Sequence, residues 1–397
     1  MNYRTIFFLL LGLDATILLF QTSELSISYY EAKLLYGDFS LLQTLIKTSL
    51  YYFGNNDFAL RLPMIVLHLL SAVLLFEISK EYLKENKNRL WLLGIFMLLP
   101  GVVSSSLIVN EAGLVIFGLF FFIYLYSRVP QSFLYVLLFL YTLVSGGFMY
   151  LFLALMFYAA YKREKRFLGY NLFLFSLSMY MYGIDTHGSP EGHFLDSMAL
   201  YSAIFTPIIF IYICYVLYRR YLTKEIDLVW FLGATALVLS LVLSFRQKVE
   251  IEHFAPYLIV TLPLVAKTFS SSYRVRLKQF RKKYKTIFIV SLLFLLANSS
   301  LVLFNKYLYT FIENPKKHFA YNMHIAKELA LDLQAKNIHC VDTDRKMSLR
   351  LHFYGISKCN DFILSDRVEL SSKLPNVTIS YKKQPVYSAN VTKVNKK

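Results

Sequence analysis

Charge is scarce in this chain of 397 residues. Asp, Glu, Lys and Arg make up only 17% of it, against 56% hydrophobic and 17% aromatic residues. A soluble fold of that length clothes itself with about a quarter charged residues, so a soluble globular protein is excluded. Glycine and proline are also sparse, at 15 and 10 residues, and they are scattered. No Walker loop, Rossmann glycine pattern, HExxH zinc pair or Cys-x-x-Cys occurs. Their absence argues against ATP-driven transport within the chain. Only three cysteines are present, and no DNA-binding motif accompanies the net charge of +17.

What the chain has instead is apolar blocks about 16–20 residues long, the length of helix that crosses a ~30 Å hydrocarbon slab. Eleven spans are predicted: Thr5–Phe20, Leu62–Lys80, Leu90–Leu107, Gly113–Tyr126, Ser132–Val144, Met149–Tyr161, Phe167–Tyr182, Leu200–Tyr218, Leu228–Ser244, Tyr257–Phe269 and Ile287–Phe304. The connecting loops carry their basic residues unevenly. One set, running from Arg4 through the Lys80–Arg89 and Lys162–Arg166 clusters to Arg274–Lys285, holds 21 Lys and Arg; the other, tail apart, has Lys33, Lys47, Arg61, Arg246 and Lys248. The positive-inside rule puts the first set in the cytoplasm. An odd number of spans then places the tail outside, with the loops Gln21–Arg61, Gly183–Ser197 and Phe245–Pro256.

The expected fold is an all-α polytopic membrane protein: a transmembrane domain over residues 1–304, with interfacial helices in loop 21–61, and a small α/β extracytoplasmic module over 305–397. In that module a helix is predicted near Asn322–Lys336 and strands at Ile338–Val341, Phe362–Leu364 and Val377–Tyr381. Cys340 and Cys359 fall inside it, either bridged in an oxidising compartment or simply buried as thiols.

The external loop is the most informative segment. It reads ISYYEAKLLYGD, SLLQTLIKTSLYYFG, then NNDFALRLP at the entry to the second span. Leucines and Ile46 recur at helical spacing on either side of Gly37-Asp38, which suggests two helices lying on the membrane surface. Glu31 sits on the first, as a functional carboxylate or as a solvated charge.

Tyr30-Glu31-Ala32, Phe53-Gly54 followed by Arg61-Leu62-Pro63, and Asn110-Glu111 after the third span resemble the polyprenyl-phosphate-dependent glycosyltransferases of the C superfamily. The nearest clan is that of protein O-mannosyltransferases and lipid A aminoarabinose transferases. There, Asp-Glu-Ala opens the loop, FG-x6-RLP leads into the second span and an acidic residue ends the third. The resemblance covers residues 1–130. Two features depart from it. The leading Asp is Tyr30 here, or Ser23 if Ser23-Glu24-Leu25 is the matching triplet, so Glu24 rivals Glu31. The His-Pro-Pro of the second loop helix is missing, with Leu41-Leu42-Gln43 in its neighbourhood.

The resemblance implies an enzyme that moves a sugar from a polyprenyl-phosphate donor to a lipid, glycan or protein acceptor on the outer face of a bacterial inner membrane. Such a transfer needs a base for the acceptor proton and cationic groups for the departing phosphate. Glu31 is the first candidate for base. Glu111 either shares that role, orients the acceptor or caps the following helix. Arg61, Arg246, Lys248 and His253 are the external candidates for donor phosphate, with headgroup anchoring as the alternative for the last three.

The loop GIDTHGSPEGHFLD packs Asp185, His187, Glu191, His193 and Asp196 into twelve residues. That set is compatible with a divalent metal or with a plain polar loop, and the cofactor requirement stays open. Asp14, His68 and Glu77 lie within the first two spans and read as structural. A transporter or flippase, or a non-catalytic relative of the transferase fold, is the competing reading. Transporters favour charges at mid-membrane and paired repeats, and this chain shows no repeat.

Overall fold

The computed structural model describes residues 2–183, 192–365, 377–382 and 384–393. Helices cover every one of the eleven apolar segments. Among the described residues three are long and apolar enough to cross a membrane unbroken: α1 (Tyr3–Glu24), α4 (Asp57–Tyr82) and α16 (Lys278–Leu303). Between α1 and α4 lie α2 (Tyr29–Tyr36) and α3 (Leu41–Phe53), the two loop helices expected there.

Three of the eleven segments are not single straight spans. Leu90–Leu107 is two helices, α5 (Asn86–Leu98) and α6 (Pro100–Leu107), bent by 60°. Leu200–Tyr218 is α11 (Phe194–Phe205) and α12 (Pro207–Leu222), meeting at 104°; Tyr257–Phe269 is α14 (Ala255–Ile259) and α15 (Leu262–Val275), and the helical stretch Ile251–Ile259 that ends in α14 meets α15 at 44°. Each second helix carries a proline in its first two positions. A proline lacks the N–H that would continue the ladder and pushes its predecessor out of the α region. At the sharpest corner that predecessor, Thr206, adopts φ 68°, a left-handed backbone in a β-branched residue. The remaining helices are α7 (Glu111–Tyr126), α8 (Gln131–Val144), α9 (Met149–Lys162), α10 (Lys165–Tyr182) and α13 (Leu228–Ser244).

The chain divides into two compact units. Unit 1 comprises residues 1–16, 40–42 and 64–299. Its core is one apolar cluster drawn from α1 and α4–α16, with Phe96, Leu119, Phe152, Tyr201 and Tyr257 fully enclosed. Small residues set the close approaches. A Cβ on Gly118 would fall 2.5 Å from the ring of Phe148, which stacks on Tyr141 with 4.3 Å between centroids.

Unit 2 comprises residues 17–39, 43–63 and 300–397, so the tail packs together with the loop that holds α2 and α3. The tail itself is α17 (Ala326–Ala335), α18 (Arg345–Phe353) and an antiparallel sheet of β1 (Phe362–Ser365), β2 (Val377–Tyr381) and β3 (Gln384–Lys393) in the order β1-β3-β2. Ile325, Leu329, Leu333, Leu351, Val377 and Ala389 fill its core. The helix near Asn322–Lys336 and the strands at Phe362 and Val377 are where the sequence puts them. Ile338–Val341 is not a strand; only Cys340 forms an isolated bridge, to Ser357. Cys340 and Cys359 form a disulfide.

Candidate functional site

Three clusters hold the candidate acids of the transfer, two in unit 2 and one in unit 1. In unit 2, Ser28 caps α2 and completes a capping box with Glu31. Its N–H donates to Glu31 Oε2 at 2.8 Å and the Glu31 N–H donates to Ser28 Oγ at 3.2 Å. This reciprocal pair satisfies two donors that would otherwise be orphaned at the helix start. Arg61, in the first turns of α4, closes on the same carboxylate: Nη2 lies 3.3 Å from Glu31 Oε2. The same Nη2 donates to Ser26 O at 2.9 Å, and Nη1 donates to Leu25 O at 3.0 Å. Both side chains of the pair have no solvent exposure.

Arg61 therefore faces carboxylates and carbonyls in an enclosed space rather than an open phosphate site. It also lies 3.8 Å from Asp57, one helical turn back. Asp57 is itself buried and takes a 2.6 Å hydrogen bond from the Tyr354 hydroxyl and an ion pair at 3.1 Å from Lys327. The Tyr354 oxygen in turn accepts from the Ile27 N–H at 2.9 Å, and Arg350 Nε donates to Ile27 O at 3.1 Å. Burial, reinforced by the Asp57 charge, pushes the Tyr354 hydroxyl far above its ordinary value, so it stays protonated as a donor.

Glu24 belongs to a different cluster. It pairs with Lys306 at 3.3 Å, and Lys306 also reaches Glu328 at 3.1 Å. Burial alone would lower the ammonium of Lys306, but Glu328 and Glu24 more than offset it and leave it above its usual range. Beside them His324, buried with its Nε2 2.8 Å from Asn305 Oδ1, is pulled down to about 3 by burial, by His318 and by Lys306.

In unit 1, Glu111 is the first residue of α7, after the cap Asn110, whose side chain accepts from the Gly113 N–H at 3.2 Å. A carboxylate there suits the positive end of the helix. It is only part-buried, and it accepts a 2.5 Å hydrogen bond from the Ser145 hydroxyl. Ser145 Oγ accepts in turn from the Gly147 N–H at 3.0 Å, and the Gly147 carbonyl takes the Tyr257 hydroxyl at 2.7 Å. His253 borders the same turn, because a Cβ on Gly147 would sit 3.8 Å from His253 Nδ1. Its Nε2 is 3.1 Å from Glu250 and its side chain is 33% exposed. The turn 145–148 thus brings together Glu111 and His253, which lie far apart in sequence. Arg246 and Lys248 are exposed, with no side-chain partner among the described residues.

Of the five metal candidates, Asp185, His187 and Glu191 lie outside the described residues. His193 and Asp196 approach to 3.2 Å as an (i, i+3) pair. Cys340, Cys359 and Asp361 have metal-like spacing, but both sulfurs are committed to the disulfide. In the first two spans His68 Nε2 meets Asp14 Oδ2 at 2.7 Å, while Glu77 pairs with Lys80 on its own helix. Ser145, Asp57 and Tyr354 also enter these clusters, and little in the sequence marks them. The Ser-Gly-Gly-Phe turn, holding the chain's single Gly-Gly, was the visible mark of the first.

No family model matches the chain, and no curated protein matches it in sequence. The structure does align with the apo crystal structure of ArnT from Cupriavidus metallidurans, at a TM-score of 0.56 and 12% identity, over 90% of this chain and 86% of that one. The chain therefore shares the fold of ArnT. At this identity the likeness is one of architecture. ArnT is a lipid A aminoarabinose transferase, from the clan that the loop motifs resemble.

Proposed function

We propose that this chain is an integral-membrane glycosyltransferase that takes a sugar from a polyprenyl-phosphate donor and passes it to a lipid, glycan or protein acceptor outside the cytoplasm of a bacterium. The observation that carries the reading is the ArnT-like fold over nine-tenths of the chain, together with loop motifs of the same superfamily. The Cys340–Cys359 disulfide favours an oxidising compartment for the tail, and the loop charges favour the same side.

Roles follow from access. In the transfer a carboxylate takes the acceptor's O–H or N–H proton, the acceptor heteroatom bonds to the sugar C1, and the C1–O bond breaks with its electron pair leaving on the polyprenyl phosphate. Glu111 is part-exposed and held by a single hydroxyl, so we assign it the base. Glu31 would have to give up Arg61 to act, and we assign that pair to holding the loop. Glu24, neutralised by Lys306, is a weaker candidate. Arg246, Lys248 and His253 are the groups open to a departing phosphate, whose charge they would stabilise.

The test is transfer by purified protein from a radiolabelled polyprenyl-phosphate sugar. Glu111→Gln should cut turnover on the order of 10²–10⁴-fold with the fold intact. Glu31→Gln should act mainly through stability. Full turnover in Glu111→Gln would move the base elsewhere. Substrate counterflow in vesicles without any transfer would favour a transporter, and neither activity would favour a non-catalytic relative.

A further inference from the structure

Away from these clusters, unit 1 holds a cavity of about 570 Å³ between the α7–α8 turn and the α9–α10 turn. Its lining splits by chemistry. Tyr126, Leu134, Tyr135 and Phe167 give an apolar and aromatic floor, while Arg163, Lys165 and Arg166 stand at the rim. The floor is firmly built: Tyr170 donates to the Tyr135 carbonyl at 2.6 Å and packs edge-on against the Tyr135 ring, with centroids 4.6 Å apart.

The rim has an unbalanced positive charge. Among the described residues none of the three cations makes an ion pair or a side-chain hydrogen bond, and Glu164 is the one acidic residue lining the cavity. Their placement also runs against local preference. Lys165 and Arg166 occupy the first turn of α10, where the helix dipole is already positive, and that end has no side-chain cap. Arg163 sits at φ 62°, ψ 29°, the left-handed position that closes α9, where glycine is the usual occupant. Loop-level charge asymmetry explains why this side of the membrane is basic. It does not explain three uncompensated cations around one aromatic-floored cavity.

We propose that this cavity binds the headgroup of an anionic phospholipid from the leaflet on the side of the basic loops, its phosphate met by Arg163, Lys165 and Arg166 and its glycerol and upper acyl carbons lying on Tyr126, Tyr135 and Phe167. A soluble phosphate ester offers the same anion but leaves the apolar floor bare. The proposal stands independently of the transferase reading.

Native mass spectrometry of the full-length detergent-solubilised protein tests it, with phosphatidylglycerol, phosphatidylcholine and free glycerol 3-phosphate as probes. Phosphatidylglycerol should be retained in preference to phosphatidylcholine. A triple variant, Arg163→Gly with Lys165→Gln and Arg166→Gln, should lower that retention about tenfold or more, since each basic group near a membrane surface contributes appreciably. Arg163→Gly suits the left-handed backbone, so that change does not threaten the turn. Glu164→Gln should raise phosphatidylglycerol retention, a gain that misfolding cannot mimic. Equal retention of the two lipids, an unaffected triple variant, or displacement of the lipid by glycerol 3-phosphate would each overturn the assignment.

Discussion

Several buried serines and threonines of unit 1 and the buried charges of unit 2 are satisfied over different distances along the chain, although unit 1 also holds long-range pairs such as Tyr257 with Gly147. In unit 1 the hydroxyls of Ser105, Ser106, Ser240 and Thr261 donate to carbonyls three residues back on the same stretch of chain. In unit 2 the buried charges find partners 30 residues away for Arg61 and Glu31, and the buried Asp57 takes a hydrogen bond from Tyr354, 297 residues away. The first kind of satisfaction is local and survives any rearrangement that keeps the helices. The second exists only when the segments 17–39, 43–63 and 300–397 are together, so the loop and the tail are expected to order as one.

Removing the centre of that network is the severest way to break the comparison. Arg61→Met leaves Glu31 and Asp57 buried beside an apolar side chain, which typically costs about 3–5 kcal/mol. Amide hydrogen exchange should show protection lost at Ser26 and Ile27, whose N–H groups bond Met323 O and Tyr354 Oη, while α7 and α9 keep theirs. Adding Glu31→Gln should recover part of the loss. Exchange that rises equally in both units would mean that they do not differ in this way.

The disulfide gives the next largest effect. Cys340 and Cys359 are 19 residues apart, and closing a loop of that size stabilises by about 3 kcal/mol. Cys340→Ser should lower the melting of unit 2 and make it insensitive to reductant, with little change in unit 1.

These contrasts follow what the sequence disclosed. Every apolar segment is a helix because hydropathy is read residue by residue along the chain, and the prolines at 100, 207 and 263 even mark the three breaks. The bend angles were hidden, since a proline says where a ladder stops and not what the next helix packs against. A sequence shows the charge of Arg61 without its partners, Glu31 and the carbonyls of Leu25 and Ser26, so its enclosure is not legible there. The Glu31 capping box was one step from legible, with Ser28 three residues ahead of it. Ser145 was not, since its meeting with Glu111 depends on how α7 and α8 pack. In the tail, the polar run of α18 and the Gln-Pro opening of β3 carry no periodic signal, and both elements owe their form to Leu351, Tyr387 and Ala389 in a shared core.

Acid sharpens the comparison more gently. His324 takes up a proton near pH 6.5 when unfolded but only near pH 3 when folded, as burial, His318 and Lys306 all oppose its charge. The unfolded chain therefore binds more protons between those values, and stability falls as pH drops below about 6.5. At pH 5 the loss is on the order of 2 kcal/mol, confined to unit 2. Melting followed from pH 7 to pH 5 should show it, and His324→Gln should flatten the slope. An unchanged slope in that variant would assign the acid sensitivity to another group.

The smallest effect on stability belongs to unit 1, where it separates folding from chemistry. Ser145→Ala removes one hydroxyl that donates to Glu111 and accepts from Gly147, a loss of about 1 kcal/mol, since the part-exposed carboxylate can turn to water. If Glu111 is the base, the same change frees it from the geometry in which it meets an acceptor. Turnover should then fall by more than the stability loss explains. If Glu111 only caps α7, the hydrogen bond from Ser145 is incidental to chemistry, and turnover should match the unaltered protein. A single substitution in the turn 145–148 thus decides whether the part-exposed acid of unit 1 takes part in the reaction or only caps its helix.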